Sequence, residues 1–271
     1  MKINAVMSYN LGNSSKLLSE ELHIRRISRE ASRFIPSPNK TILNWGCSYY
    51  LAPDLEECKI INKPSIVEIC VNKLLFFRFL KERADRYDLF LKGDDLLKNI
   101  IPSTESKEVV NQWLQDGKSV CARQKLEGQG GDGIMIFDAT NRFPHASLFT
   151  LYIKKKTEFR IHVAFGKVIA MQQKKRRDNV PIENPLPSYM GRLGMIRNMS
   201  TGYIYARNEI EVPDSVIKVS LDIINLLGLD FGAVDVIWNE KHQKPYILEV
   251  NTAPGLEGQT VLDYANAMRE A

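Results

Sequence analysis

The chain has 271 residues, 44% of them hydrophobic and 25% charged, enough apolar material for a sizeable core and too much for a disordered or collagen-like polymer. Its formal net charge of +5 is mild, and no zinc-finger, helix-turn-helix or RNP signature accompanies it, so nucleic acid as the primary ligand is a minority reading. Cys47, Cys58, Cys70 and Cys121 form no CxxC pair, and "IINLLGLDFGAVDVIW", the longest apolar stretch, carries two aspartates, which argues against a disulfide scaffold and a membrane span.

In chain order, "MKINAVMSYNLGNSSK" has no long apolar segment of the signal-peptide kind, so a cytoplasmic protein with reduced, structural cysteines is expected. The opening third mixes short strands, such as "TILNWG" at 41–46, with polar helical stretches, such as Ser15 to Ser32, and is punctuated by Pro36, Pro38, Pro53 and Pro64. This is an α/β pattern, with a boundary expected near residue 70. At "NKLLFFRFLKERADRY" Asn72 caps a helix whose apolar stripe is Leu74, Leu75, Phe76, Phe79 and Leu80. An amphipathic helix "SKEVVNQWLQDGK", a strand "SVCARQKL" and the glycine-rich "EGQGGDGIMIF" follow. Next come strands "SLFTLYIK" and "TEFRIHVAFGKVIAMQQKKRR", the latter turning at Phe165 to Lys167. The segment from Asp178 to Tyr203 reads as irregular, and a helix "PDSVIKVSLDIINLLG" precedes the last two strands.

Four glycines, Gly128, Gly130, Gly131 and Gly133, let backbone N–H groups of "EGQGGDGI" approach a phosphate chain closely; a plain glycine-rich hairpin is the alternative. The stretch lacks the Gly-Lys-Ser/Thr ending of a P-loop and leads into a strand, "IMIFD", where P-loop and Rossmann sequences open a helix. Arg123 and Lys125 alternate on one face of the entering strand, where either cation would neutralise phosphate oxygens.

The last two strands, "FGAVDVIW" and "YILEVN", flank a polar, turn-like "NEKHQKP". Strand alternation sends Ile247, Glu249 and Asn251 to one face and Tyr246, Leu248 and Val250 to the other. A hairpin symmetric about His242 sets Asp235 opposite Glu249, since both lie seven residues from it. Asp235, Glu249 and Asn251 would then converge as hard oxygen donors, suited to Mg²⁺ or Mn²⁺ and poorly to zinc; a solvated hairpin face is the alternative. The lysines at 154–156 and the "KKRR" at 174–177 are solvated faces or an anion-binding surface. His162 has no metal-ligand partner at useful spacing and reads as structural.

Taken together, "NK" at a helix start, a basic strand into a glycine-rich hairpin, "LYI", "EFR", and Asp on one strand with Glu-x-Asn on the next resemble the ATP-grasp superfamily over roughly residues 70 to 260. Within it, "ILEVNTAPGLEG" is most similar to ribosomal-protein glutamate ligases, and "ILNWG" resembles phage-encoded carboxylate-amine ligases. The resemblance implies an α/β (α+β) ATP-grasp fold with two subdomains clamping ATP. It divides the chain into a pre-ATP-grasp lobe at 1–70, an N-terminal subdomain with the glycine-rich loop at 71–148, and a C-terminal subdomain with the metal-binding hairpin at 149–271.

By the same resemblance, Lys73 and Arg123 contact the nucleotide phosphates, with Lys125 as the alternative to Arg123, and Tyr152 and Ile153 form the hinge at adenine. Asp235, Glu249 and Asn251 hold two Mg²⁺ ions. Arg160 faces the γ-phosphate or acyl phosphate, Lys174 or Lys175 supplies a second cation, and Arg197 and Asn198 lie near the acceptor. Three lysines stand where the family often has an acid for the ribose, so that role falls to Glu158 or to a residue elsewhere. The implied activity is ATP-dependent joining of a carboxylate to an amine through an acyl phosphate, adding an amino acid such as glutamate to a peptide, protein or small-molecule acceptor. One substrate is expected to be anionic beyond its reacting group, and an assembly of identical chains is compatible with the sequence. A non-catalytic ATP-binding scaffold and an ATP-grasp kinase are the rival readings.

Overall fold

A computed structural model describes residues 2–9, 12–27, 33–87, 96–127, 132–154, 157–177 and 202–271. The first sheet is built from β1 (Ile3–Met7), β2 (Arg25–Ile27), β3 (Thr41–Asn44) and β4 (Lys59–Ile61), all parallel in the order β2-β1-β3-β4, with α1 (Asn13–Glu21) crossing between β1 and β2. The helix expected over Ser15 to Ser32 therefore stops at Glu21, and Arg25–Ile27 is a strand. The stop is a Schellman turn: the Ile24 N–H donates to the Ser19 carbonyl (3.0 Å) and the His23 N–H to Glu20 (3.1 Å). His23 takes the left-handed φ of 54°, a position that usually signals itself with glycine.

Next come α2 (Pro64–Val71) and α3 (Lys73–Tyr87). As expected, Asn72 caps α3: its Oδ1 accepts from the N–H groups of Leu74 (3.0 Å) and Leu75 (3.2 Å). The buried apolar side chains of α3, among the described residues, are Phe76, Phe77 and Leu80. The second sheet is antiparallel, with β5 (Ser103–Thr104), β6 (Val120–Arg123), β7 (Ile134–Phe137) and β8 (Leu148–Leu151) in the order β5-β8-β6-β7. One face of it is packed by α4 (Lys107–Gln115), around Val110, Val120, Ala122, Phe137 and Phe149.

The third sheet is also antiparallel, in the order β11-β10-β9-β12-β13. Its strands are β9 (Thr157–Ala164), β10 (Lys167–Arg176), β11 (Tyr203–Ala206), β12 (Phe231–Asn239) and β13 (Lys244–Asn251). One face packs on α5 (Asp214–Leu227) and on α3: Phe159, Ile161, Val163, Val234, Val236, Ile247 and Val250 meet Val216, Val219, Ile223, Phe76 and Leu80. The last helix, α6 (Gln259–Glu270), joins this sheet to the first one, since Tyr264, Ala265 and Met268 share a core with Val6, Leu18, Leu43, Trp45 and Phe231. Asn62, just after β4, reinforces that join. Its side chain accepts from the Asp230 N–H (2.8 Å) and donates to the Phe231 carbonyl (2.8 Å).

The β12–β13 pairing sets Asp235 opposite Glu249, the register expected from the hairpin's symmetry. It also contains a β-bulge, because the next pair is Val236 with Ile247 and Leu248 is left over. Ile247 consequently sits with Val236 and Val250 in the core and does not share the Glu249 face, which corrects the simple alternation. No disulfide forms among the described residues, and burial pushes the Cys70 thiol up to about 12 despite the nearby Lys73 ammonium. No helix of the described residues is long and apolar enough to cross a membrane.

Candidate active site

The face of the third sheet turned away from α5 carries the charged groups. Because β9, β10 and β12 run in register, Glu158 pairs with Ile237, Arg160 with Asp235 and Gln172 with Arg160, so strand parity alone gathers Glu158, Arg160, Lys174 and Asp235 on that face. The bulge at Leu248 restores Glu249 and Asn251 to it. Tyr205 joins them from β11, where it is paired with Lys174.

Arg160 grips Asp235 with both arms of its fork: Nε lies 2.6 Å from Oδ1 and Nη2 lies 2.7 Å from Oδ2. The Tyr205 ring stacks beneath the guanidinium, 4.2 Å from centroid to Cζ, and Lys174 Nζ lies 5.4 Å from the same ring. From the first turn of α3, Lys73 reaches Glu249 Oε2 at 2.8 Å and is only 7% exposed. Its backbone N–H donates to the Leu126 carbonyl (3.0 Å), which ties the start of α3 to the chain leaving β6. Asn251 Nδ2 bridges the two acids, 3.3 Å from Glu249 Oε1 and 3.5 Å from Asp235 Oδ2. Glu158, which is buried, and Lys174, which is partly exposed, form a short ion pair beside this group.

Taking so many charges out of water is costly even when each is paired, so the cluster is poorly explained as a stabilising device. The two acids are held differently. Burial pushes the Asp235 carboxyl up against the pull of Arg160. Burial also works against the Glu249 carboxylate, but the Lys73 ammonium, with Arg160 and Arg123 behind it, brings it down to about 2. For Arg160 burial alone would lower the pKa, and the Asp235 charge and hydrogen bonds outweigh it and raise it. Among the described residues no group of three or more His, Cys, Asp or Glu side chains could hold a metal unaided. The available set is two carboxylates and one amide.

The remaining expected residues are spread around this centre. Arg123, at the end of β6, is close enough for its charge to act on Glu249, and its Nε is buried without a hydrogen-bond partner among the described residues. Lys125 lies beyond the strand in an exposed pair with Asp132 (2.6 Å), and it is not brought to the acids. Gly133, at φ +71°, packs so closely that a Cβ there would stand 2.8 Å from the Lys125 Cβ. Tyr152 follows β8, its N–H donating to the Ser119 carbonyl (2.9 Å), and Ile153 lies in the link to β9. Of the two candidate lysines on β10, Lys174 belongs to the cluster, while Lys175 has the opposite parity and donates to the Glu209 carbonyl (2.8 Å). Gly128, Gly130, Gly131, Arg197 and Asn198 lie outside the described residues.

Tyr205 was not anticipated. Its only sequence signal is the aromatic alternation of "YIYA", which identifies a strand but not the neighbour it pairs with.

The fold has precedents. No protein-family model matches the sequence, and no curated protein is similar to it in sequence. Solved structures match over nearly the whole chain. The ligase PsnB, in complex with a phosphomimetic variant of its minimal precursor, Mg and ADP, has a TM-score of 0.64 at 11% identity, covering 98% of this chain and 97% of that one. The chain has the ATP-grasp fold. A RimK-domain ATP-grasp protein from Sphaerobacter thermophilus is similar at TM-score 0.59 and 12% identity, over 99% and 98% of the two chains. D-alanine–D-alanine ligase from Bacillus anthracis is similar at TM-score 0.59 and 14% identity, over 100% of this chain and 93% of the ligase. Identities this low establish an ATP-grasp, α+β architecture and leave chemistry to be argued from the residues above.

Proposed function

We propose that the protein is an ATP-dependent carboxylate-amine ligase that forms an amide bond through an acyl phosphate. The observation that carries this reading is the convergence of Asp235, Glu249 and Asn251 with Lys73, Arg123 and Arg160 on one sheet face of an ATP-grasp fold. The oxygen set fits Mg²⁺ or Mn²⁺, because carboxylate and amide oxygens suit a hard divalent ion that keeps several positions for phosphate and water. When bound, the ion neutralises phosphate oxygens as charge develops on them. PsnB, solved with Mg, ADP and a precursor variant, supports both the cofactor choice and a peptide-like substrate.

The chain's own groups account for the remaining requirements. Arg123 offers a phosphate a buried N–H that has no partner among the described residues, and Lys73 a second cation. Arg160, fixed between Asp235 and the Tyr205 ring, is pre-oriented toward the transferring phosphoryl group. A substrate carboxylate oxygen bonds to the γ-phosphorus as the bond to ADP breaks. The amine nitrogen then bonds to the acyl carbon, phosphate departs and the amine gives up a proton. Such chemistry needs positioning and charge neutralisation, not a covalent nucleophile. Tyr152 and Ile153 sit where the chain passes from the second sheet to the third, and we assign them to adenine and Glu158 to the ribose. Arg197 and Asn198 are assigned to the acceptor by resemblance alone. Exposed Lys154, Arg176 and Arg177 favour a substrate with negative charge beyond its reacting group, such as an acidic amino acid or peptide tail.

The test is ADP release with carboxylate and amine panels, followed by mass spectrometry of the products. Asp235→Asn and Glu249→Gln are expected to keep the fold and abolish ADP formation. Turnover that needs only one substrate would instead identify a kinase, and no turnover with any panel a scaffold. Repeating the assay at low and high salt checks the charge of the substrate. The KM of an anionic substrate should rise steeply with salt, since exposed charges are screened over about 8 Å at physiological ionic strength.

A further inference from the structure

Lys73 has an unusual place for a phosphate-binding lysine: it is buried, and it is spent on a carboxylate. Asp235 and Glu249 bring two negative charges to the sheet face, and Arg160 and Lys73 answer them one for one at 2.6 Å and 2.8 Å. A free divalent ion approaching these oxygens meets a site already neutralised, with the Arg123 charge close by as well. The two cations differ in freedom. Arg160 is clamped by a bidentate pair and a stacked ring, whereas among the described residues Lys73 is held at its tip by one contact, to Glu249, on a four-carbon stem. Its backbone is pinned to Leu126, one residue before the glycine-rich hairpin begins, so its ammonium can swing toward bound phosphates without any movement of α3.

We propose that Lys73 is an exchangeable counter-ion: it occupies the Glu249 oxygens in the nucleotide-free protein and transfers to the phosphates when metal and nucleotide arrive together, so that the metal binds well only with nucleotide. This rests on the ATP-dependent reading above. The reason is one of charge. Displacing Lys73 by a metal alone would strand a buried ammonium, which is expensive, while a nucleotide phosphate offers that ammonium a new partner. Binding of the two ligands is therefore reciprocally coupled.

The experiment uses the whole chain, Mn²⁺ as the metal and ADP as the nucleotide, with Mn²⁺ binding followed by electron paramagnetic resonance and ADP binding by calorimetry. Wild type should bind Mn²⁺ at least about tenfold tighter at saturating ADP than without it, within the usual span of such couplings. Lys73→Met should bind Mn²⁺ alone tighter than wild type and ADP more weakly, with the coupling reduced. Lys73→Arg, which keeps the charge, should retain the wild-type coupling. Equal Mn²⁺ affinity of wild type with and without ADP, while ADP still binds, overturns the counter-ion role and leaves the nucleotide reading intact. A folded Lys73→Met protein with no gain in affinity for Mn²⁺ alone overturns it as well. Failure of wild type to bind ADP at all, with or without Mn²⁺, overturns both.

Discussion

His162 sits on the same sheet face as Arg160 but deeper, fully buried, with Nδ1 3.1 Å from the Tyr264 hydroxyl and Nε2 2.9 Å from Gln172 Oε1. Burial, and to a smaller degree the Arg160 charge, lowers its pKa from the ordinary 6.5 to about 4, although the bond to Gln172 opposes the shift. Since the folded pKa is the lower one, the unfolded chain takes up the proton first. Stability is therefore full above about pH 6.5 and falls as the pH drops toward 4, by roughly 3 kcal/mol for this group. Urea denaturation at pH 7 and pH 4.5 should show part of that loss, and a folded His162→Gln protein should show less of it. Tyr205 makes a different residue-scale prediction. Tyr205→Leu removes the ring under Arg160 and should lower kcat by about tenfold, whereas Tyr205→Phe keeps the ring and most of the rate; steady-state kinetics of the two variants decide it. At this scale the acids were readable, because an aspartate and a glutamate on apolar strands demand an explanation. Tyr205 was not, because a tyrosine in a strand does not. The choice between Lys174 and Lys175 depended on β10 parity, which the uninterrupted basic run conceals.

At the scale of elements, the strands that build the centre could be read and two of their details could not. The hairpin register followed from counting outward from His242, and the structure has it. The extra residue at Leu248 left no trace in the sequence, since Leu is equally at home on either face of a strand. In α1 the propensity of the polar residues ran on past Glu21, and the true stop depended on His23 accepting a left-handed φ that no glycine announced. His23→Gly removes that conformational cost and should stabilise the protein by about 1 kcal/mol, read as a higher urea midpoint with an unchanged slope. A midpoint that falls would mean that the Schellman turn is not the resting conformation there. Asn72, by contrast, was legible because an N-cap side chain followed by an apolar run is a local signal with a local cause.

At the scale of the whole molecule the sheets are not equally interdependent. The first and third share one apolar cluster through Trp45, Phe231 and Tyr264, and Asn62 bonds directly to the chain entering β12. The second sheet keeps a small core of its own around Val110, Val120 and Phe149. No sequence signal marked this asymmetry, because it arises from α6, the last helix, returning to pack on the first sheet. Its consequence is a hierarchy of opening. In native-state hydrogen exchange the backbone amides of β6, β7 and β8 should exchange through a partial unfolding at lower denaturant than those of β1, β9 and β12, which should open as one unit near the global limit. Saturating Mg-ADP should slow exchange in the second sheet far more than in the other two, since nucleotide held between the sheets would make the weaker one share the fate of the stronger.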